Sequence, residues 1–376
     1  MRFLKAFGII VGLMFGAGIF ALPFAIAAAG VFWGLVHLLI ALCLMIFMLF
    51  LYAGVIHYTE GKHRFTGYVE RVLGRQYKKI AFFVTLVVYY FVLLAYGVLG
   101  GLFLSNFFKG NYAVVLSFLF FGVGAFLVFL KLEKIALANL YLSLPLFAFV
   151  LFLLFFSFNF LDLGNFSWGL SNFSFSDVSW FLPYGVWIFS LTAFAAIPEA
   201  HDVVGSCELK KFKKVILVSV LLSALFYSVF IFNIIGISGA QTSEDSLGGL
   251  SGIVNREIIL LGSIIGILAV FTSFLLMAAD LRDSFRFDFG FPKTLAWFFT
   301  IVPPVLLFSF GVQDFTRIIG LSGSLGMGFI GTFLVLMAWK MKEKVFFVNS
   351  KATAVLSVFA VAAILLAVAY EIYNVL

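Results

Sequence analysis

The chain has 376 residues, of which 64% are hydrophobic and only 11% charged, with a mean hydropathy of +1.18. A soluble protein needs far more polar surface, and the apolar runs are too long for alternating barrel strands, so an all-α polytopic membrane protein is expected. The net charge of +7 falls between the apolar segments rather than on one patch, which argues against nucleic acid as a partner and for a lipid bilayer.

Taken in order, the chain offers eleven spans of roughly the 20 apolar residues that cross a bilayer. They cover about 6–30, 32–56, 80–106, 112–130, 135–158, 178–206, 213–237, 256–279, 294–310, 316–339 and 352–374. Arg2 and Lys5 precede the first run, which reaches no small-residue cleavage site and reads as a helix rather than a signal peptide. Its centre is Gly16-Ala17-Gly18-Ile19-Phe20-Ala21-Leu22-Pro23. Each Gly costs about 1 kcal/mol relative to Ala in a helix interior and Pro about 3 kcal/mol. In hydrocarbon such a break is tolerated where the backbone faces a cavity or ligand. Opened there, a helix exposes amides at one half's N-terminus and carbonyls at the other's C-terminus, suited to a small zwitterion. Close helix packing and a mild proline kink are the alternative.

The second span follows at Gly30-Val31 in a tight hairpin, with His37 near its outer end at the interface. Residues 59–79 read as a short amphipathic surface helix, with Thr66 before it and Gly74 after it. Tyr89, Tyr90 and Tyr96 of the third span are candidates to line a pocket, with aromatic packing as their competing role. The fifth span has no Lys after Lys134. The outer loops 159–177 and 238–255 carry no Lys or Arg; Asn165 and Asn172 fit the common glycosylation pattern. Cys43 and Cys207 form no disulfide or metal framework. With the N-terminus cytoplasmic, 21 of the 24 Lys and Arg fall inside, leaving Lys109, Arg256 and Arg317 outside. That asymmetry puts the C-terminus outside.

The sixth span is interrupted by Thr192-Ala193-Phe194-Ala195-Ala196-Ile197-Pro198-Glu199, and Pro23 and Pro198 align at an offset of 175. Two interrupted helices in corresponding positions of five-span halves are the pattern of an inverted-repeat transporter. The halves would be 1–158 and 178–339, with 352–374 an added helix. Glu199 starts the second half-helix, where a dipole favours a carboxylate; it is either a cation or proton ligand or already in the headgroup region. Thr272 and Ser273 in the eighth span either bond back to carbonyls one turn earlier or complete an oxygen site for Na⁺ near Gly16. There is no paired carboxylate or His cluster inside the expected spans and no catalytic or phosphate-binding motif, so neither enzyme activity nor a cofactor or resident metal is expected.

The stretches 16–23, 195–199 and 272–275 resemble the amino acid/auxin permease group of the amino acid–polyamine–organocation superfamily, closest to the aromatic and hydroxy amino acid permeases. The resemblance covers nearly the whole chain and implies a LeuT-type fold of five plus five inverted helices with helices 1 and 6 broken. It implies backbone contacts to an amino acid at Gly16, Ala17, Gly18, Ile19, Thr192, Phe194 and Ala195, with Phe20 and Tyr89 as further substrate candidates. Leu321–Gly326 in the tenth span would be a gate passing close to the first. Coupling divides the family between H⁺ and Na⁺; the candidates are Glu199, Thr272 and Ser273, and the nearest branch is mostly proton-driven. The expected function is an amino acid transporter of the plasma membrane. The alternative is a sensor of the same fold that binds without transport.

Overall fold

Without water to solvate them, backbone N–H and C=O groups in hydrocarbon must pair within the segment, so long apolar runs become helices. The computed structural model describes residues 2–108, 110, 112–130, 135–169, 178–205, 209–345, 361, 362, 364, 365 and 367–369, and contains no β-strand among them. In chain order the helices are α1 (Arg2–Met14), α2 (Gly18–Ala29), α3 (Val31–Tyr58), α4 (Phe65–Leu73), α5 (Arg75–Ser105), α6 (Ala113–Leu130) and α7 (Ile135–Phe156). They continue as α8 (Leu182–Ser190), α9 (Ala196–Val204), α10 (Leu209–Ser238), α11 (Arg256–Phe289), α12 (Lys293–Ser309), α13 (Phe315–Lys340) and the short α14 (Lys342–Val345). Helices overlap the first ten expected spans. Six of them, α3, α5, α6, α10, α11 and α13, are by themselves long and apolar enough to cross a membrane; α1 and α2, bent by 52°, make a seventh if taken together. The eleventh expected span lies largely outside the described residues, although Ile364 and Val368 meet α13 beside Gly328.

Several local expectations change. α4 starts earlier than its sequence signal: Thr66 lies inside the helix, and the N-cap is Arg64, with no side-chain capping bond. The helix is pinned instead by burying Thr66, Tyr68, Val69 and Val72. His37, near the outer end of α3, is 2% exposed and enclosed by Trp33, Trp180, Phe181 and Tyr184. The aligned prolines sit at different depths, Pro23 five residues into α2 and Pro198 two into α9. α11 runs ten residues beyond the expected end of the eighth span and stops where Gly290 adopts φ 71°, a left-handed cap.

The helices pack as two groups. α1, α2, α3, α8, α9 and α10 form one connected set of contacts and α5, α6, α11 and α12 another, with α7 and α13 meeting both. α8 and α13 cross closely. A Cβ on Gly323 would run into Gly185 O, and one on Gly185 into Gly320 O, so bare backbone lies against bare backbone.

Ion pairs define a basic face. Lys62 meets Asp202 at 3.2 Å, Arg64 meets Glu199 at 3.1 Å, and Lys78 meets Glu70 at 2.9 Å. At the opposite face the chain between α10 and α11 folds back inward, Ser246 donating to Phe20 O at 2.6 Å with Leu247 and Leu250 fully buried. Glu244 fastens this segment to α13 by accepting the Phe315 N–H at 3.0 Å. Burial first, and Asp314 beside it, push Glu244 up to about 6. A raised carboxyl binds its proton more tightly when folded, so its contribution to stability falls as pH rises from about 4.5 to about 6 and is flat above. Melting curves between pH 4 and 7.5 are therefore expected to lose that slope in Glu244→Gln; a slope equal to the parent's counts against the assignment.

Candidate functional site

Both interrupted helices open at their centres. α1 ends at Met14 and α2 begins at Gly18, with Gly16 N–H bonded only to Met14 O, two residues back, at 2.7 Å. α8 ends at Ser190 and α9 begins at Ala196, the chain turning through Ala196 N–H to Ala193 O at 3.0 Å. The two breaks touch: a Cβ on Gly18 would come within 2.8 Å of Ser190 Cα. Each leaves carbonyls without intrahelical donors at one half's end and amides without acceptors at the other's start. Tyr227, fully buried on α10, ties the two carbonyl ends together. Its hydroxyl lies 2.7 Å from Met14 O and 3.2 Å from Ser190 O.

Beside the breaks lies a cavity of about 330 Å³ that leads to the basic face. Its inner end is formed by Gly16, Tyr96, Thr192 and Ala195, and its mouth by Gly8, Arg64, Glu199 and Ser284. Phe82, Phe189 and Met277 add apolar wall. The way to the opposite face is filled where Phe20 packs edge-on against Phe103 and Phe230, at 4.8 and 5.8 Å between centroids. Volume and lining suit a small molecule with an apolar side chain and a polar head.

Of the residues expected to bind substrate, Gly16, Tyr89, Thr192, Phe194 and Ala195 line this cavity. Ala17, Gly18, Ile19 and Phe20 do not; they are buried where α2 starts, on the closed side of the break. Tyr96 joins the lining, whereas Tyr90 points away and donates to Phe299 O at 2.6 Å. Thr272 bonds back to Leu268 O and Ala269 O at 3.0 and 3.1 Å, and neither it nor Ser273 lines the cavity. Ser273 Oγ nevertheless faces the break, 3.6 Å from where a Gly16 Cβ would stand. The Gly-rich stretch of α13 passes closest to α8 rather than α1.

Glu199 is at the mouth, paired with Arg64, and a second carboxylate that sequence reasoning missed stands behind it. Asp280 lines the cavity from α11, with Oδ2 accepting the Tyr89 hydroxyl at 2.9 Å and Oδ1 4.0 Å from Arg64 Nε. Burial opposes the Arg64 charge, but Asp280 and Glu199 outweigh it and raise the guanidinium above its ordinary value. The expectation excluded paired carboxylates and His clusters only inside the expected spans; Asp280, which shares Arg64 with Glu199, and His57, 3.5 Å from His201, both fall outside them. Both misses sat just past an expected span end, at 279 and 56. The available signal was periodicity, since Asp280 follows Ser273 by two helical turns on one face.

The family model of tryptophan/tyrosine permeases matches residues 1–373. The chain belongs to the tryptophan/tyrosine permease family. This permease is an integral membrane amino acid transporter rather than an enzyme. No curated protein matches it by sequence. Among solved structures it is similar to MhsT, crystallised in complex with L-phenylalanine, with a TM-score of 0.62 and 16% identity, over 97% of this chain and 98% of that one. At that identity the likeness shows the fold of the permease, the LeuT type expected from its sequence.

Proposed function

We propose that this chain is a cation-coupled permease of the plasma membrane that carries an aromatic or small neutral amino acid by alternating access. The observation that carries the reading is the meeting of two broken helices at the inner end of a cavity with an apolar wall. Carbonyls at the α1 and α8 ends suit the ammonium group, and the α9 N-terminus, where Ala195 and Ala196 line the cavity, the carboxylate. The L-phenylalanine in the MhsT crystal and the family's own name support an aromatic side chain in the remaining space.

The positive-inside rule makes the basic face cytoplasmic, with the N-terminus inside and C-terminus outside. In this arrangement the cavity is open inward. The group of α1, α2, α3, α8, α9 and α10 would rock against α5, α6, α11 and α12, with segments 1–158 and 178–339 as inverted repeats. Membership of the amino acid–polyamine–organocation superfamily follows from the same reading. Glu199, Thr272 and Ser273 remain coupling candidates for H⁺ or Na⁺.

The test is uptake of radiolabelled tryptophan, tyrosine, serine and alanine into proteoliposomes under a pH gradient and, separately, a sodium gradient. Accumulation of the aromatic substrates under one gradient is expected. Binding without accumulation would favour a sensor, and neither would refute the substrate class.

A further inference from the structure

The Asp280 cluster lies away from the breaks and has a charge balance of its own. Asp280 sits two turns beyond Ser273 on α11, about 10 Å along the helix towards the open mouth. Arg64 is shared by two carboxylates, Glu199 and Asp280. Arg64 Nη1 is 3.1 Å from Glu199 but Arg64 Nε is 4.0 Å from Asp280, so Glu199 takes the better part of the cation. Tyr89 donates to Oδ2, while Oδ1 is the oxygen turned to the more distant guanidinium. The Asp280 side chain is 35% exposed, and it opens onto the cavity, where a proton can reach it.

We propose that Asp280 carries the coupled proton. It rests on the permease reading above. The titratable and charged groups around Asp280 are Tyr52 from α3, Arg64 from the segment before α4, Tyr89 from α5, Glu199 from α9, and Asp283 one turn on in α11. Asp283 is held by Arg282 at 2.8 Å and Arg286 at 3.9 Å. α1 and α13 turn only uncharged residues to the cavity. The step is acid dissociation: the Asp280 O–H bond breaks, its electron pair stays on the carboxylate, and the proton passes to water in the cavity. Because Glu199 rides on α9, half of a broken helix, movement of that half changes how much of the Arg64 charge is left for Asp280. Proton affinity is thereby tied to the conformation of the substrate site.

Full-length protein in proteoliposomes would be assayed for tryptophan accumulation under an imposed pH gradient and for tryptophan counterflow with no ion gradient. Asp280→Asn is expected to reduce gradient-driven accumulation at least tenfold, and by a much larger factor than it reduces counterflow. Asp280→Glu is expected to recover accumulation with a displaced pH profile. Parent-like accumulation by Asp280→Asn would overturn the proposal, as would accumulation driven only by sodium in the parent. So would loss of accumulation in both variants with counterflow intact, or loss of counterflow in both. Counterflow by the parent stands apart from these outcomes: its presence keeps the permease reading even where the proton assignment fails, and its absence removes the reading itself.

Discussion

Gly18→Val is expected to abolish amino acid uptake altogether. A β-carbon there would meet the Ser190 Cα at 2.8 Å and its hydroxyl closer still, so a branched side chain must push the two broken helices apart. Relief is not a matter of one rotamer, because the obstacle is backbone. The carbonyl ends of α1 and α8 would then no longer sit near one substrate. Gly122→Ala, at a position where a β-carbon meets nothing within 4 Å, is the matched control and is expected to transport normally. Uptake in proteoliposomes, with size-exclusion profiles to confirm folding, makes the comparison. Appreciable uptake by Gly18→Val would show that the two breaks need not be in contact.

Tyr227→Phe is the second large effect, expected to lower uptake by about 10-fold to 100-fold while the protein stays folded. The ring keeps its packing against Phe15 and Trp187, but the hydroxyl shared by Met14 O and Ser190 O is lost. An unpaired buried carbonyl costs roughly 1–3 kcal/mol, or about 5-fold to 150-fold, which brackets that range. Since the lost donor spans both breaks, the change should appear in the maximal rate as well as in apparent affinity. An unaltered rate would mean that the carbonyls are satisfied without it.

Much of this arrangement was legible in the residues. The glycines at 16 and 18 and the proline at 198 disclosed the two breaks because such residues are costly inside a helix. The polar loops disclosed which ends share a face, since charges cannot lie in hydrocarbon. What stayed hidden depended on distant contacts. Hydropathy ended the eighth span at 279, yet packing of Phe82 on Phe285 and Phe289 carries α11 on to Gly290 and brings Asp280 into the cavity. Arg64 read as one more positive-inside charge; only the fold sets it between two carboxylates. Ala17 to Phe20 followed the motif, but the helix restarts at Gly18 and turns them to the closed side. Tyr227 gave no local sign, because its partners are 213 and 37 residues away.

The crossing of Gly185 over Gly320 and Gly323 has a bearing on speed. Most helix pairs lock by interdigitating side chains, and displacing one past the other means resetting rotamers notch by notch. Here the facing surfaces are smooth peptide, so α8 meets α13 as a plain journal rather than a ratchet. Small rotations of the half-helix that ends at the substrate site encounter no such notches at this contact. The path filled by Phe20, Phe103 and Phe230 has no such smoothness, since its rings interlock edge-on.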